Sequence, residues 1–192
     1  MGKLKEATRE QHENLESIVD VMNKMFNRDD YKTLLTKFYR FYSTVEPLVA
    51  INDMKAAGLD LDARRKSHLL EADLNALGSS DEAARIKGTW SGAPTIDTTA
   101  KAFGVCYVME GATLGGQVIM RHLKQHLDIT TENGGSFFNS YGERVGPMWK
   151  EFIAITTAFA ETANADDEIV ESAKRTFDSF ANCFAESATA TA

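Results

Sequence analysis

The chain has 192 residues, of which 43% are hydrophobic, and a formal net charge of -7. A chain of this length and composition can bury one full-sized core, and its acidic balance argues against general nucleic-acid binding. No long apolar run or signal peptide is present, and Cys106 and Cys183 form no CxxC motif. We therefore expect a reduced, cytoplasmic, monomeric protein without a membrane span, with one domain over residues 1–187 and a disordered tail over residues 188–192.

The spacing of apolar residues is helical along almost the whole chain. There are only three prolines, and no Asn-Gly or Asp-Gly turn separates alternating apolar runs. These features predict an all-α fold. The first predicted helix extends from about Lys3 to Phe26, and its buried stripe comprises Leu4, Ala7, Leu15, Ile18, Val19, Met22 and Met25.

His12 borders this stripe, so its imidazole can lean towards the core. Glu16 lies one helical turn later and can reach the ring. A carboxylate in this position would hold the Nδ1 proton and leave Nε2 free to bind a metal, as is usual behind a ligating histidine. The alternative is a half-buried histidine in a surface ion pair.

A second helix is predicted from a cap at Asp29 and Asp30 to Pro47, whose missing N–H interrupts it. Its dense aromatic stripe either lines a cofactor pocket or belongs to the core. The stripe comprises Tyr31, Phe38, Tyr39, Phe41 and Tyr42 together with Leu34, Leu35 and Val45.

Shorter segments are predicted to follow. A short helix with a turn at Gly58 precedes a helix that Asp62 caps and Gly78 ends. Residues 79–97 are rich in turn formers, which indicates a surface loop around a brief helical turn.

A helix over about residues 98–127 carries the least usual pattern, because Gly111, Gly115 and Gly116 lie in its interior. Each glycine costs about 1 kcal/mol relative to alanine. Gly104, Gly111 and Gly115 share one side of the helix and form a strip without Cβ atoms, on which a flat molecule could lie. The alternative is close packing of another helix. We predict a kink between Gly111 and Gly116.

Towards the end of this helix, His122 and His126 have the spacing of a zinc-binding pair. No glutamate follows the first histidine and no third ligand is evident, so a solvated face is the favoured interpretation. A polar loop over residues 130–142 with an embedded Phe137-Phe138 pair comes next.

Two helices are predicted for the C-terminal part of the chain. Pro147 suits the first turn of one helix, and Asn164 or Asp166 is expected to cap the last helix.

Three segments together resemble the heme oxygenase family, and most of all its bacterial branch associated with bacteriophytochromes. They are LKEATREQHENLE at residues 4–16, FYRFY at residues 38–42 and YVMEGATLGGQVI at residues 107–119. The resemblance implies a single all-α domain in which heme lies between the histidine helix and the glycine helix.

The resemblance also implies roles for individual residues. His12 would be the proximal iron ligand with Glu16 behind it, and the distal, catalytic surface above the iron would comprise Gly111, Gly115, Gly116 and Gln117. The heme propionates would meet Lys5 on one side and Lys150 on the other, with Arg144 or Tyr107 assisting.

One position departs from part of the family. Animal and cyanobacterial members resemble GDLSGGQ in the glycine helix, whereas this chain reads GATLGGQ and has Ala112 in place of the aspartate that organises distal water. Backbone groups of the kink, Thr113 or Gln117 are the alternative anchors for that water.

The implied activity is O2- and electron-dependent cleavage of heme to biliverdin, CO and free iron, with heme as both substrate and cofactor. Electrons would come from a ferredoxin, a flavodoxin or a reductase, and a bilin-using phytochrome is a further implied partner. A non-catalytic heme-binding, carrier or interaction protein with the same fold is the alternative. A di-iron oxygenase is disfavoured because the chain has no ExxH motif.

Overall fold

The computed structural model describes residues 2–24 and 27–186. Across these ranges the chain is helical and contains no strand, so the predicted all-α fold is confirmed. The α-helices in chain order are α1 (Gly2–Ala7), α2 (Arg9–Val19), α3 (Val21–Lys24), α4 (Arg28–Val49), α5 (Ser67–Ala76), α6 (Ser80–Ile86), α7 (Thr99–Gly111), α8 (Gly116–Leu127), α9 (Ser136–Asn139), α10 (Val145–Ala163) and α11 (Asp166–Ala185). None of the helices in the described ranges has the length and apolar character to cross a membrane.

The prediction of one continuous N-terminal helix is wrong. Thr8 separates α1 from α2, and its hydroxyl donates to the carbonyl of Leu4 at 2.9 Å, a local bond that bends helices. Asp20 ends α2 in the left-handed region, with φ 36°, which a short polar side chain tolerates. The predicted end at Phe26 and the stripe residue Met25 lie outside the described residues.

The start and end of α4 also differ from the prediction. The side chain of Asn27 accepts hydrogen bonds from the N–H groups of Asp29 and Asp30, both at 2.9 Å, and is therefore the cap. The Asp30 carboxylate accepts from the Asn27 N–H at 3.2 Å and completes the capping box. Pro47 lies inside the last turn, because α4 continues to Val49.

The aromatic stripe of α4 forms core against α11. The Phe41 ring stacks on the Phe180 ring at a centroid distance of 4.1 Å, and Phe38 lies 5.1 Å from Phe184. The aromatic members of the stripe are all buried. α11 also packs against α2 and, most extensively, against α7, so it supports both helices to which the sequence assigns a function.

The predicted kink in the glycine helix is confirmed. α7 ends at Gly111 and α8 begins at Gly116, and the residues between them form a tight turn. In this turn the Thr113 N–H donates to the Glu110 carbonyl and the Leu114 N–H donates to the Gly111 carbonyl, each at 3.1 Å. Hydrogen bonds between residues three apart have replaced the α-helical pattern.

The middle of the chain is less regular than predicted. A 3-10 turn over Asp62–Arg64 and an extended Arg65 come before α5, so the predicted helix begins at Ser67 instead of Asp62. Gly78, with φ 76°, ends the helix as predicted. Residues 79–97 contain α6 and a buried Trp90, whose indole N–H donates to a hydroxyl on α11 at 3.0 Å. Most of the segment is exposed, which confirms the predicted surface loop around a brief helical turn, and Trp90 fixes it to α11.

The predicted caps of the last helix are wrong. Asn164 has a left-handed φ of 50° and ends α10, and Ala165 precedes α11 without a side-chain cap. The polar loop before α10 contains the short helix α9, in which both Phe137 and Phe138 are buried.

Candidate functional site

Phe177 of α11 lies between the histidine helix and the glycine helix. The His12 ring of α2 meets it edge to face at 5.6 Å, and the Tyr107 ring of α7 meets it at 6.5 Å. Tyr107 also contacts Trp149 of α10 at 5.6 Å. The structure therefore brings together two of the predicted site residues, His12 and Tyr107, and adds Phe177 and Trp149 beside them.

His12 is open to solvent. Its side chain is 53% exposed, and Nδ1 lies 3.6 Å from a carboxylate oxygen of Glu16, an ion-pair distance slightly too long for a hydrogen bond. Among the described residues, no hydrogen bond to Nε2 is found. An imidazole with one nitrogen facing a carboxylate and the other available can bind a metal ion that enters from outside.

The four glycines around the kink have different surroundings. A Cβ atom on Gly115 would have no neighbour within 4 Å, and one on Gly111 would meet only Trp149, at 3.9 Å. A Cβ on Gly104 would lie 2.6 Å from the Ile169 carbonyl oxygen, and one on Gly116 would collide with the Phe138 carbonyl. The Cβ-free strip predicted from Gly104 to Gly115 is therefore wrong for Gly104, which allows α11 to approach closely.

The turn at the kink leaves backbone groups without partners. Within the described ranges, the N–H groups of Gly115 and Gln117 and the carbonyls of Ala112 and Leu114 make no hydrogen bond. Gly115 and Gln117 are exposed. Two large apolar side chains beside them are also exposed, Leu114 at 47% and Val118 at 54%. This surface combines bare backbone, apolar side chains and free polar groups, which suits a flat, mostly apolar ligand.

The remaining predicted residues have distinct environments. Thr113 is buried and its hydroxyl donates to the Glu110 carbonyl at 2.7 Å, so this donor is not available to a distal water. Lys5 and Lys150 are both exposed. Burial raises the pKa of the Tyr107 phenol, and a contact with the Thr8 hydroxyl partly offsets that effect. Tyr107 therefore stays neutral and connects α7 with the junction of α1 and α2.

Neither cysteine presents a thiolate. Burial raises the pKa of Cys106 to about 12, with a further contribution from Glu110. Burial likewise raises the pKa of Cys183 to about 11. The His122 and His126 rings are 4.5 Å apart, but the described residues contain no group of three side chains that could hold a metal ion.

A buried cluster of charges beside the kink was missed in the sequence. Glu110 accepts hydrogen bonds from Arg64 at 2.7 Å, from Lys66 at 2.5 Å and from the Tyr141 hydroxyl at 2.8 Å. The Arg64, Lys66 and Glu110 side chains are all at most 4% exposed. A glutamate within the apolar run that leads to the glycines is the signal that could have drawn attention to the cluster.

A family model described as heme oxygenase matches residues 1–186. The chain belongs to the heme oxygenase family. A heme oxygenase from Xanthomonas campestris pv. campestris (strain 8004) is 26% identical over 160 residues, which cover 83% of this chain and 92% of that protein. A heme oxygenase from Neisseria meningitidis, solved with NO and CO bound, aligns with a TM-score of 0.79 at 21% identity and covers 98% of this chain and 94% of its own. At that identity, the structural likeness shows a shared fold.

The residues present fit the heme that the family implies. An exposed imidazole can approach the iron, and the space around Gly115 would be reduced by any larger side chain. The exposed N–H groups of Gly115 and Gln117 at the start of α8 can donate hydrogen bonds to a ligand or to water. Heme oxygenase membership also makes the chain an enzyme of the oxygenase class.

Proposed function

We propose that this chain cleaves heme to biliverdin, CO and free iron with O2 and external electrons, and that His12 is the axial ligand. Membership of the heme oxygenase family supports the reaction class. The site assignment rests on the open, Cβ-free surface at Gly111 and Gly115. This surface begins one helical turn beyond Tyr107. The rings of Tyr107 and His12 both contact Phe177.

The chain's own residues would bind and orient the substrate. Heme supplies both the iron that activates O2 and the porphyrin that is cleaved. His12 would hold the iron through Nε2, since its Nδ1 faces the Glu16 carboxylate at 3.6 Å. Lys5 and Lys150, with Arg144 or Tyr107, are proposed to pair with the propionate carboxylates.

The distal surface has two tasks, which are to leave room above the iron and to hold water. Gly111 and Gly115 leave the room. With Ala112 in place of an aspartate, the free N–H groups of Gly115 and Gln117 and the free carbonyl of Ala112 are proposed to hold the water that delivers protons. Gly116 contributes by allowing the kink to approach α9.

The electron donor is proposed to be an external protein of the ferredoxin, flavodoxin or reductase type. We also propose that residues 1–187 form a single domain that acts as a cytoplasmic monomer. A bilin-using phytochrome is a proposed recipient of the product, because biliverdin is a free bilin.

A heme titration of His12→Ala tests the ligand assignment. The parent should give a Soret band with histidine-ligated spin and ligand-field features. His12→Ala should lose these features and regain them when imidazole is added. His126→Ala is the matched control and should behave like the parent. A His12→Ala spectrum identical to the parent spectrum would contradict the assignment.

A turnover experiment separates the enzyme from the alternative heme carrier, which Ala112 favours because no carboxylate organises the distal water. Heme-loaded parent is mixed with ascorbate, or with ferredoxin and its reductase, under air. The Soret band should decay while a bilin band grows. A Soret band that persists while a reduced, CO-binding spectrum forms would support the carrier instead.

A further inference from the structure

The buried charges beside the kink connect separate parts of the chain at one carboxylate. Arg64 bridges Glu110 and Glu151, with its two terminal nitrogens 2.7 Å from a carboxylate oxygen of each. Arg64 also donates to the Met148 carbonyl at 3.2 Å. Lys66 donates to Glu110 and, at 2.9 Å, to the Tyr141 hydroxyl. Four parts of the chain therefore meet at Glu110. They are the segment before α5, the last turn of α7, the segment that follows α9, and helix α10.

Further hydrogen bonds connect the same cluster to α4. The backbone N–H of Lys66 donates to the Glu46 carboxylate of α4 at 2.6 Å, and the Ser67 hydroxyl and N–H donate to the same carboxylate. The ammonium of Lys66 also donates to the Arg64 carbonyl at 2.8 Å. Because these bonds are charge-assisted and shielded from water, they define positions more strictly than apolar contacts do.

Glu110 is placed where it can control the distal surface. It is the last residue before Gly111, and its own carbonyl accepts the N–H and the hydroxyl of Thr113, which close the turn. The preceding carbonyl, that of Met109, accepts the Tyr42 hydroxyl at 3.1 Å. The backbone before Gly111 is thus held in two ways, by the bonds to the Glu110 carboxylate and by the bonds to the Met109 and Glu110 carbonyls.

We propose that Glu110 is a positioning residue, whose buried carboxylate fixes the kink and thereby the free N–H groups of Gly115 and Gln117 above the ligand. The relevance to heme rests on the proposed function, whereas the effect on the kink is a property of the chain without heme. Glu110 does not touch the ligand in this proposal. It acts through the backbone of residues 111–117.

Hydrogen exchange in the heme-free chain tests the effect on the kink. In Glu110→Gln, the amides of residues 107–123 should exchange at least tenfold faster than in the parent, while those of α4 and α11 should keep the parent rates. Glu151→Gln is the matched control, because it removes the exposed partner of the same arginine, a carboxylate that is 60% exposed. It should leave exchange in residues 107–123 unchanged.

A second readout applies to the heme-loaded chain. The stretching frequency of CO bound to the iron responds to polar groups above it, so Glu110→Gln should shift and broaden the band, whereas Glu151→Gln should keep it. Unchanged exchange and an unchanged CO band in Glu110→Gln would overturn the proposal. Faster exchange spread evenly over all helices would also overturn it, since it would show a general loss of stability.

If Glu110→Gln does not fold, Tyr141→Phe provides the same test, because it removes one hydrogen bond to Glu110 and keeps the charges. Faster exchange confined to residues 107–123 in this variant supports the proposal, and parent-like exchange overturns it. A parent chain that fails to bind heme would refute the proposed function, while the exchange result without heme would still decide the role of Glu110.

Discussion

Two pairs of glycines lie along the same kinked helix and have opposite surroundings. Gly104 and Gly116 are bare because the backbone of a neighbouring segment occupies the space of a side chain. Gly111 and Gly115 are bare where that space is open, apart from an ordinary contact between Gly111 and Trp149. The first pair allows the fold to pack, and the second pair leaves room for something that is not part of the chain.

This difference shows that glycines on one kinked helix can allow close packing at some positions and leave open space at others. Sequence spacing places Gly104, Gly111 and Gly115 on one side of a helix, but it cannot say what lies opposite each of them. The neighbour decides the role. Substitution with alanine converts the difference into measurable quantities, because a methyl group clashes in one pair and finds space in the other.

The largest expected effect is on the packed pair. Gly104→Ala and Gly116→Ala should each destabilise the heme-free chain by about 2 kcal/mol, because overpacking against a backbone carbonyl outweighs the gain in helix propensity. For a chain of this size the melting temperature should fall by about 4–8 °C. Thermal unfolding monitored by circular dichroism measures the melting temperature.

Gly146→Ala is the matched control for these variants, since a Cβ atom on this glycine of α10 would have no neighbour within 4 Å. It should melt no lower than the parent. If Gly104→Ala melted like Gly146→Ala, close packing of α7 on α11 would not be the reason for that glycine.

The next effect is on function at the open pair. Gly115→Ala should melt at or slightly above the parent temperature without heme, because the residue has φ -78° and ψ -13°, which alanine adopts freely. If Gly115 lies above the heme iron as proposed, the same methyl would enter that space, and biliverdin formation should fall severely or the heme should be diverted to peroxidase-like chemistry. Melting without heme and bilin absorbance after turnover give the two measurements.

Stability and activity should therefore move in opposite directions in Gly115→Ala and together in Gly116→Ala. Gly146→Ala serves again as the control and should keep both properties. A Gly115→Ala chain that was destabilised without heme yet degraded heme normally would contradict the assignment of this surface to the ligand.

The smallest expected effect concerns the packed side of the kink, where the Tyr42 hydroxyl donates to the Met109 carbonyl. At pH 7, Tyr42→Phe should lower the free energy of unfolding by about 1 kcal/mol, because this hydrogen bond is lost. Burial, followed by nearby Glu46, raises the Tyr42 pKa well above its ordinary value of 10.0. Above pH 10 the unfolded chain therefore releases this proton while the folded chain keeps it, and the stability of the parent falls as pH rises.

Tyr42→Phe lacks this proton, so its stability should decline less steeply with pH above 10. The difference in slope should approach about 1.4 kcal/mol per pH unit. Urea unfolding at pH 7, 9, 10 and 10.5 measures both curves. Parallel curves above pH 10 would show that the Tyr42 hydroxyl is not buried as described.

Local signals in the sequence were sufficient for part of this picture. The kink follows from three closely spaced glycines, and Gly78 ends α5 because glycine adopts a positive φ. The breaks at Thr8 and Asp20 were missed, because an apolar stripe can continue across short helices whose ends are determined by local hydrogen bonds. The assignment of His12 remains a prediction.

The buried cluster could not be derived from the sequence for a different reason. Glu110 meets Arg64 and Tyr141, which are 46 and 31 residues away along the chain, and no periodic pattern relates such distant positions. A basic residue before α5 is ordinarily a solvated one. Tertiary packing alone buries these side chains and pairs them.

The weak burial of α2 has a consequence for mutational tolerance. Of its eleven residues only Leu15 is buried, whereas nine of the thirteen residues of α7 are buried. Exposed substitutions usually change stability by less than about 0.5 kcal/mol, so most of the histidine helix can vary without unfolding the chain. Single substitutions on the exposed face of α2 should therefore be tolerated where comparable substitutions in α7 would unfold the chain, and sequence drift should concentrate in α2 more than in α7.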